Sequence, residues 1–319
     1  MLGTFRWPII GTLVVLVGVA LFRGPGLAIN VAAIILIEAA LSLDNAVING
    51  QTLAKMTEFW RRMFLTVGLI FAVVGIRFVL PILLVSAFSF RSPLSVAVMA
   101  FKSPNQYAEA LHNAFPGIVA FGGAFLLNAF LGYFADREQP TWLIVEKFLR
   151  WPWYVRLIAV LAIIGLGAAR YSLPFVLSGI AGSTIYYCFE FLEHSGDSKL
   201  VGAGWLAFVY LNLLDAALSL DGVLGAFAVS HDLIDITLGL GLGAWYVRVF
   251  TVWLIDLGVI QLRYLAAGAH WSICVLAFTM FAGLVFAVPD WMTASASAVF
   301  VIASLAHSVY YRRKHPELV

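Results

Sequence analysis

Long apolar stretches recur along the chain and are separated by short polar connections. A membrane-spanning helix needs about 20 mostly apolar residues, and about ten stretches meet that requirement. The predicted spans are 7–22, 27–50, 62–89, 114–135, 152–169, 172–192, 203–230, 234–260, 271–288 and 291–311. The pattern therefore predicts an all-α polytopic membrane protein of about ten transmembrane helices.

A polar phrase occurs twice within these apolar stretches. Residues 38–45 read EAALSLDN, and residues 215–222 read DAALSLDG, 177 positions further on. Downstream, LTVGLIFAVVGIRF aligns with ITLGLGLGAWYVRV and matches Arg77 to Arg248. His112 and His270 each precede a further apolar span. Each half therefore carries an acid helix, an arginine helix and a third helix predicted to begin after a histidine.

The two copies are expected to cross the bilayer in opposite directions, because the acid helix of the first is the second span and that of the second is the seventh, five steps further on. Inverted repeats are common in secondary transporters, whose binding sites lie near the bilayer midplane. We divide the chain into an N-terminal anchor helix, a first repeat, an interfacial linker with two connecting helices, a second repeat, and a C-terminal helix with a basic tail. Their ranges are 1–26, 27–135, 136–202, 203–290 and 291–319.

Composition agrees with a membrane protein: 62% of residues are hydrophobic, 11% are charged, and the mean hydropathy is +0.97. A net charge of +2 gives no reason to expect a nucleic-acid partner. The two cysteines lack metal-type spacing. Thirteen Lys and Arg residues fall on the face that carries both termini and four on the other. The positive-inside rule then predicts cytoplasmic termini and a multi-pass protein of the inner (cytoplasmic) cell membrane.

The two phrases place four acids inside predicted spans, namely Glu38, Asp44, Asp215 and Asp221. Each would cost about 2.5 to 3.5 kcal/mol near the membrane centre unless it is paired or hydrated. One interpretation is purely structural neutralisation by Arg77 and Arg248, which lie deep in the helices that follow the phrases. Two arginines cannot neutralise four carboxylates, however, and the difference equals one divalent cation or two protons.

Oxygen donors without thiols favour a hard cation such as Mn²⁺, Mg²⁺ or Ca²⁺. Glu38 and Asn45 share a helix face, whereas Asp44 lies about 120° away. Both acids of one phrase therefore reach one centre only where the helix is broken or the two phrases cross. Gly222 makes an interruption easier in the second copy. Candidate supporting groups are Ser42, Ser219, Arg77, Arg248, Asn212, His112 and His270.

The motif SLDN after an upstream acid, echoed by SLDG and with an arginine in each following helix, resembles the TerC-like integral membrane proteins. The resemblance is closest to a longer bacterial subgroup of formerly unknown function. It implies an inverted-repeat fold and metal-ion efflux, with manganese the best candidate. By matching positions, Glu38, Asp44, Asn45, Asp215 and Asp221 would form the cation site.

We therefore expect a secondary transporter that exports a divalent cation, in which the same carboxylates could take up protons in exchange. No nucleotide-binding GxxxxGK[ST] loop is present, as a primary pump would need. No HExxH or GxSxG motif supports an enzyme, so a non-enzymatic role without a prosthetic group is expected. A partner that delivers metal to extracytoplasmic metalloenzymes, and an intramembrane enzyme, are the alternatives.

Overall fold

The computed structural model of the chain describes residues 2–168, 173–194, 204–230, 232–286 and 288–315. Within these residues it is helical and contains no strand. The α-helices are α1 Leu2–Arg23, α2 Pro25–Leu41, α3 Leu43–Ala54, α4 Glu58–Leu65, α5 Val67–Ile70, α6 Leu80–Ser89, α7 Pro93–Lys102, α8 Pro104–Ala135, α9 Trp153–Ala168, α10 Leu173–His194, α11 Trp205–Val229, α12 Leu233–Asp256, α13 Leu265–Gly283 and α14 Asp290–Lys314. A π-helical segment, Phe71–Val79, joins α5 to α6.

Five helical stretches of the described chain are long and apolar enough to cross a membrane. They are Thr4–Arg23, Glu58–Ser89, Pro104–Ala135, Leu233–Asp256 and Leu265–Gly283. Shorter apolar helices accompany them, among them Pro25–Ala39 and Trp205–Ser219. The chain is thus an α-helical, multi-pass membrane protein. Where the structure describes them, the ten predicted spans fall mainly on helical residues, while ten crossings and the inverted arrangement stay predictions.

The acid phrase interrupts its helix in the first copy and not in the second. Ser42 separates α2 from α3 with φ −97° and ψ 23°, outside regular helix geometry. In the second copy, α11 runs without interruption through Gly222. Although a glycine makes an interruption easier, Gly222 does not interrupt its helix. Helix conformation tolerates an isolated glycine, and this glycine has a packing role described below.

Two helices begin earlier than predicted, so neither of the two histidines stands at a helix entry. Helix α8 starts at Pro104 and α13 at Leu265, which places His112 and His270 inside them. Proline is well suited to the first helical turn, because its amide N–H group would be unpaired there in any case. The first turns of α8 carry polar residues, and hydropathy alone therefore misses them.

One face of the bundle holds an ion-pair cluster that joins α1 to the start of α12. Arg23 donates to Asp232 and, at 2.5 Å, to Asp235. Burial raises the pKa of the Asp232 carboxyl, but hydrogen bonds from Arg23 and from the backbone N–H groups of Ile234 and Asp235 outweigh it and hold that pKa below its ordinary value. Both joined segments belong to connections that the sequence assigns to the same, extracytoplasmic face.

The linker 136–152 is fastened on the opposite face. Glu146 is buried there and accepts hydrogen bonds from the Trp142 backbone at 2.5 Å and from Trp271 Nε1 at 2.8 Å. Trp142 Nε1 donates in turn to His307 at 2.9 Å. These contacts tie the linker to α13 and α14, at ends that the sequence assigns to the cytoplasmic face.

Helix α8 forms the centre of a close-packed group with α10. Gly182 of α10 lies so near α8 that an added Cβ would be 2.2 Å from the backbone oxygen of Phe121. Small residues let helix backbones approach in a membrane, where apolar burial gives little drive for association. By contrast, a Cβ added to Gly165 of α9 would have no atom within 4 Å.

We predict that Gly182→Ala lowers the stability of the protein by about 1–3 kcal/mol, because a backbone atom cannot move aside as a side chain can. The measurement is the thermal unfolding midpoint of the detergent-solubilised protein. Gly165→Ala is the matched control and should leave the midpoint unchanged or raise it, since alanine favours helix. Equal midpoints for the two variants would contradict the close α8–α10 contact.

Candidate functional site

The first buried ion pair joins Glu38, in the last turn of α2, to Arg77 in the π-helical segment. Both residues are 1% exposed. Arg77 Nη2 donates to Glu38 Oε1, and Nη1 donates to the Ala72 carbonyl oxygen at 3.2 Å. Isolated π-helical turns occur frequently at functional sites, because they redirect a side chain within an otherwise regular helix. Here the redirected side chain is the arginine.

The second pair joins Asp215 of α11 to Arg248 of α12. Arg248 Nη2 lies 3.0 Å from Asp215 Oδ2, with Asn212 Oδ1 at a longer 3.5 Å. Its Nη1 donates to the Phe64 carbonyl oxygen at 2.8 Å, and the guanidinium group lies 4.0 Å from the centre of the Phe64 ring. The Asp215 carboxylate, the Asn212 amide oxygen, the Phe64 carbonyl and the Phe64 ring together fix the orientation of Arg248. Each arginine thus binds the upstream acid of its own copy of the repeated phrase.

The two pairs share one centre. Ser219 of α11, one turn after Asp215, has its hydroxyl oxygen 3.3 Å from Arg77 Nη2 and so connects the second copy to the first pair. The two arginines are also close enough to interact electrostatically. Two positive charges held this near each other repel, so the carboxylates of both Glu38 and Asp215 are needed to neutralise them.

Two glycines make room for Glu38. An added Cβ on Gly222 would stand 2.6 Å from Glu38 Oε2, and one on Gly243 would stand 2.5 Å from its Cγ. Glu38 therefore lies against both α11 and α12. The glycine that replaces Asn45 in the second copy is required by this packing, because a side chain there would occupy the position of the carboxylate.

The other two acids of the phrases are placed only by their backbones. Asp44 is the second residue of α3, directly after the interruption at Ser42, and Asp221 lies in the uninterrupted α11. Their side chains lie outside the part of the chain that the structure describes. Within that part, no group of three or more His, Cys, Asp and Glu side chains could hold a metal ion. The five-residue cation site thus stays a prediction.

A buried polar line extends from Glu38 along α3. Ser42, Asn45 and Asn49 follow Glu38 at intervals of four, three and four residues, and all of them are buried. Asn49 is 1% exposed, and its Oδ1 has no hydrogen-bond donor among the described residues. Sequence analysis missed Asn49, although helical spacing from the acid phrase would have identified it.

The two histidines take no part in this centre. His112 is exposed on α8. His270 stacks on the Tyr133 ring, with ring centres 3.7 Å apart, and its Nδ1 lies 2.8 Å from the Ala266 carbonyl oxygen. A hydrogen bond to a carbonyl requires the proton on Nδ1 and leaves Nε2 as an acceptor. Neither histidine hydrogen-bonds to a described carboxylate of the centre.

A family model described as "Protein of unknown function (DUF475)" matches residues 43–315. The chain belongs to the DUF475 family. The match includes the second phrase, both buried arginines, Asp44 and Asn45, while Glu38 and Ser42 precede it. No curated protein and no solved structure matches the chain significantly.

We predict that Arg77→Gln destabilises the protein by about 3–5 kcal/mol, because it leaves the Glu38 carboxylate buried without a counter-charge. The double variant Glu38→Gln/Arg77→Gln removes both charges and should recover most of the loss. Thermal unfolding of the native protein, both single variants and the double variant completes the cycle. If the two single losses simply add in the double variant, the pair does not neutralise Glu38.

Proposed function

We propose that this protein is a secondary transporter that exports a divalent metal cation, with Mn²⁺ the favoured substrate, through a carboxylate site between the two repeats. One observation carries the proposal. The repeated acid phrases each contribute a buried carboxylate, paired with a buried arginine, to one common centre inside apolar helices. Ionisable groups in such a position mark ion pathways, because they are too unfavourable to serve as ordinary packing.

The charge balance favours a divalent ion. Arg77 and Arg248 are paired with Glu38 and Asp215, so these two arginines do not balance the formal negative charge of Asp44 and Asp221. One divalent cation, or two protons, balances that charge. The other buried polar groups that the structure describes on these helices are amides and hydroxyls, namely Asn45, Asn49, Asn212, Ser42 and Ser219, and such oxygens suit hard cations better than Cu⁺ or Zn²⁺. The choice of manganese rests on the resemblance to TerC-like proteins.

The arginines are suited to act as tethered counter-ions. When the cation leaves, a guanidinium group can hold the carboxylate that had contacted it, so the centre is not left with uncompensated charge. Such an exchange needs backbone that can adjust near the charged groups. The interruption at Ser42 and the π-helical segment around Arg77 lie at these points. Proton uptake by the same carboxylates would couple export to a proton gradient.

A purely structural role, in which the arginines only neutralise buried acids, explains the two ion pairs. It does not account for Asp44 and Asp221, or for Asn49 Oδ1, which has no donor among the described residues. Delivery of metal to extracytoplasmic enzymes would use the same centre, and no contact in the described chain favours it over export. The cytoplasmic location of both termini is part of the proposal. It is supported by the linker contacts, since Trp142 with His307 and Glu146 with Trp271 join segments assigned to one face.

The test is manganese tolerance and metal content of manganese-sensitive cells that express the protein. We expect the native chain to lower intracellular manganese and to raise tolerance, and Asp44→Asn or Asp221→Asn to abolish both effects. Asp256→Asn is the matched control, because Asp256 is an exposed acid at the end of α12. Membrane abundance of each variant is measured in the same cells.

Two results would contradict the proposal in different ways. If the native protein lowers no divalent metal, export is wrong. If it lowers manganese and the Asp44 and Asp221 variants do so equally well at equal abundance, transport stands and the assignment of the carboxylate site is wrong.

We further predict that Asn49→Leu raises the Mn²⁺ concentration for half-maximal transport about ten-fold, equivalent to about 1.4 kcal/mol, by removing a buried oxygen from the polar line. The measurement is Mn²⁺ flux into proteoliposomes with an internal fluorescent indicator. Asn113→Leu, at an exposed position of α8, should leave the concentration unchanged. A normal half-maximal concentration for Asn49→Leu would exclude Asn49 from the pathway.

A further inference from the structure

A second cavity lies apart from the acid–arginine centre. It has a volume of about 1240 Å³ and is bounded by α8, α9, α10 and the linker before α9. None of the paired acids and arginines of the first centre lines it. A cavity of this size is as large as or larger than most small-molecule sites. It is far larger than a single inorganic ion needs.

A buried cation, Arg156, lines the cavity. The residue is 3% exposed and stands in the first turn of α9. Its Nη2 donates to Glu190 Oε1 at 2.6 Å. Its Nε and Nη1 have no acceptor with hydrogen-bond geometry among the described residues, although the Tyr186 hydroxyl lies beside Nη1. Buried donors without acceptors are unfavourable, and those of a charged group are the most so.

Arg156 contributes unfilled donors to the cavity, while Glu190, Asp136 and His270 contribute acceptors to its lining. The Tyr133 hydroxyl, which also lines the cavity, has no partner in the described chain. The Tyr187 and Thr184 hydroxyls already donate to backbone carbonyls. A ligand that pairs with the unfilled Arg156 donors must therefore bring acceptor oxygens, which an oxyanion does. Arginine binds phosphate and carboxylate oxygens particularly well.

The remaining walls are apolar and aromatic, and they include Leu157, Leu161, Ile180 and Phe191. Trp151 and Trp153 stand beside them, and tryptophan is enriched where a membrane meets water. The ligand thus needs a hydrocarbon body as well as an anionic head. Basic residues in pockets between transmembrane helices are known to bind anionic lipid head groups.

We propose that the α8–α10 cavity binds an anionic amphiphile through a phosphate group held by Arg156 Nε and Nη1. Glu190 shares the same guanidinium group and repels the bound anion. Removal of its charge should therefore strengthen binding. This inference is independent of metal export.

The experiment measures binding of phosphatidylglycerol to the delipidated, detergent-solubilised protein by native mass spectrometry. We expect Arg156→Gln to weaken binding at least ten-fold and Glu190→Gln to strengthen it. Lys147→Gln, an exposed change in the adjoining linker, should have no effect. Because Glu190→Gln is expected to gain affinity, misfolding cannot produce the result, and this variant decides the matter if Arg156→Gln fails to fold.

Inorganic phosphate and dodecyltrimethylammonium serve as the other probes. If inorganic phosphate displaces phosphatidylglycerol, and Arg156→Gln and Glu190→Gln change phosphate binding in the same directions, the site binds a free oxyanion. Phosphatidylglycerol binding without such competition supports a membrane lipid. The proposal is overturned if Glu190→Gln weakens phosphatidylglycerol binding, if Arg156→Gln folds and binds normally, or if the cationic amphiphile binds more tightly than phosphatidylglycerol.

Discussion

The neutralisation of buried charge governs the centre of this molecule. Glu38 and Arg77, and Asp215 and Arg248, are all 4% exposed or less within helices whose other residues are largely apolar. A charge transferred there without a partner would outweigh many packing contacts, so each pair must stay intact or find a substitute. The glycines against Glu38 and the π-helical turn at Arg77 can be understood as adjustments that bring the partners together.

The same constraint is the basis of the proposed transport. A centre in which every charge were permanently paired would be stable and inert. Two further acids in the repeated phrases, Asp44 and Asp221, exceed what the two arginines neutralise, and a divalent ion is the simplest species to balance them. In the proposed function, the adjacent polar line to Asn49 would supply oxygen atoms, which a dehydrated cation needs along its path. The α8–α10 cavity differs in charge and in composition. Its buried Arg156 has N–H donors without acceptors among the described residues, which is why we propose that the cavity binds an anion.

Sequence reasoning identified the charged residues of the centre, because acids and arginines inside apolar spans are conspicuous and costly. It also located the helices, since hydropathy measures the length of an apolar segment. It considered a broken helix within a phrase but did not place the break at Ser42, because serine does not by itself break a helix. It misplaced the beginnings of α8 and α13, where helix continues past the apolar segment. The role of Gly222 was also hidden, since the group it accommodates belongs to the other repeat.

The most direct measurement of the central claim is the effect of Mn²⁺ on the thermal stability of purified Arg77→Gln and native protein. If a cation and an arginine neutralise the same cluster of carboxylates, Mn²⁺ must replace the lost guanidinium charge in the variant. At 100 times its dissociation constant, a bound ion stabilises by about 2.7 kcal/mol. The account predicts a clearly larger Mn²⁺-dependent rise in unfolding midpoint for Arg77→Gln than for the native protein, and none for the variant that also carries Asp44→Asn and Asp221→Asn. An equal response of all three proteins, or no response in any, would contradict it.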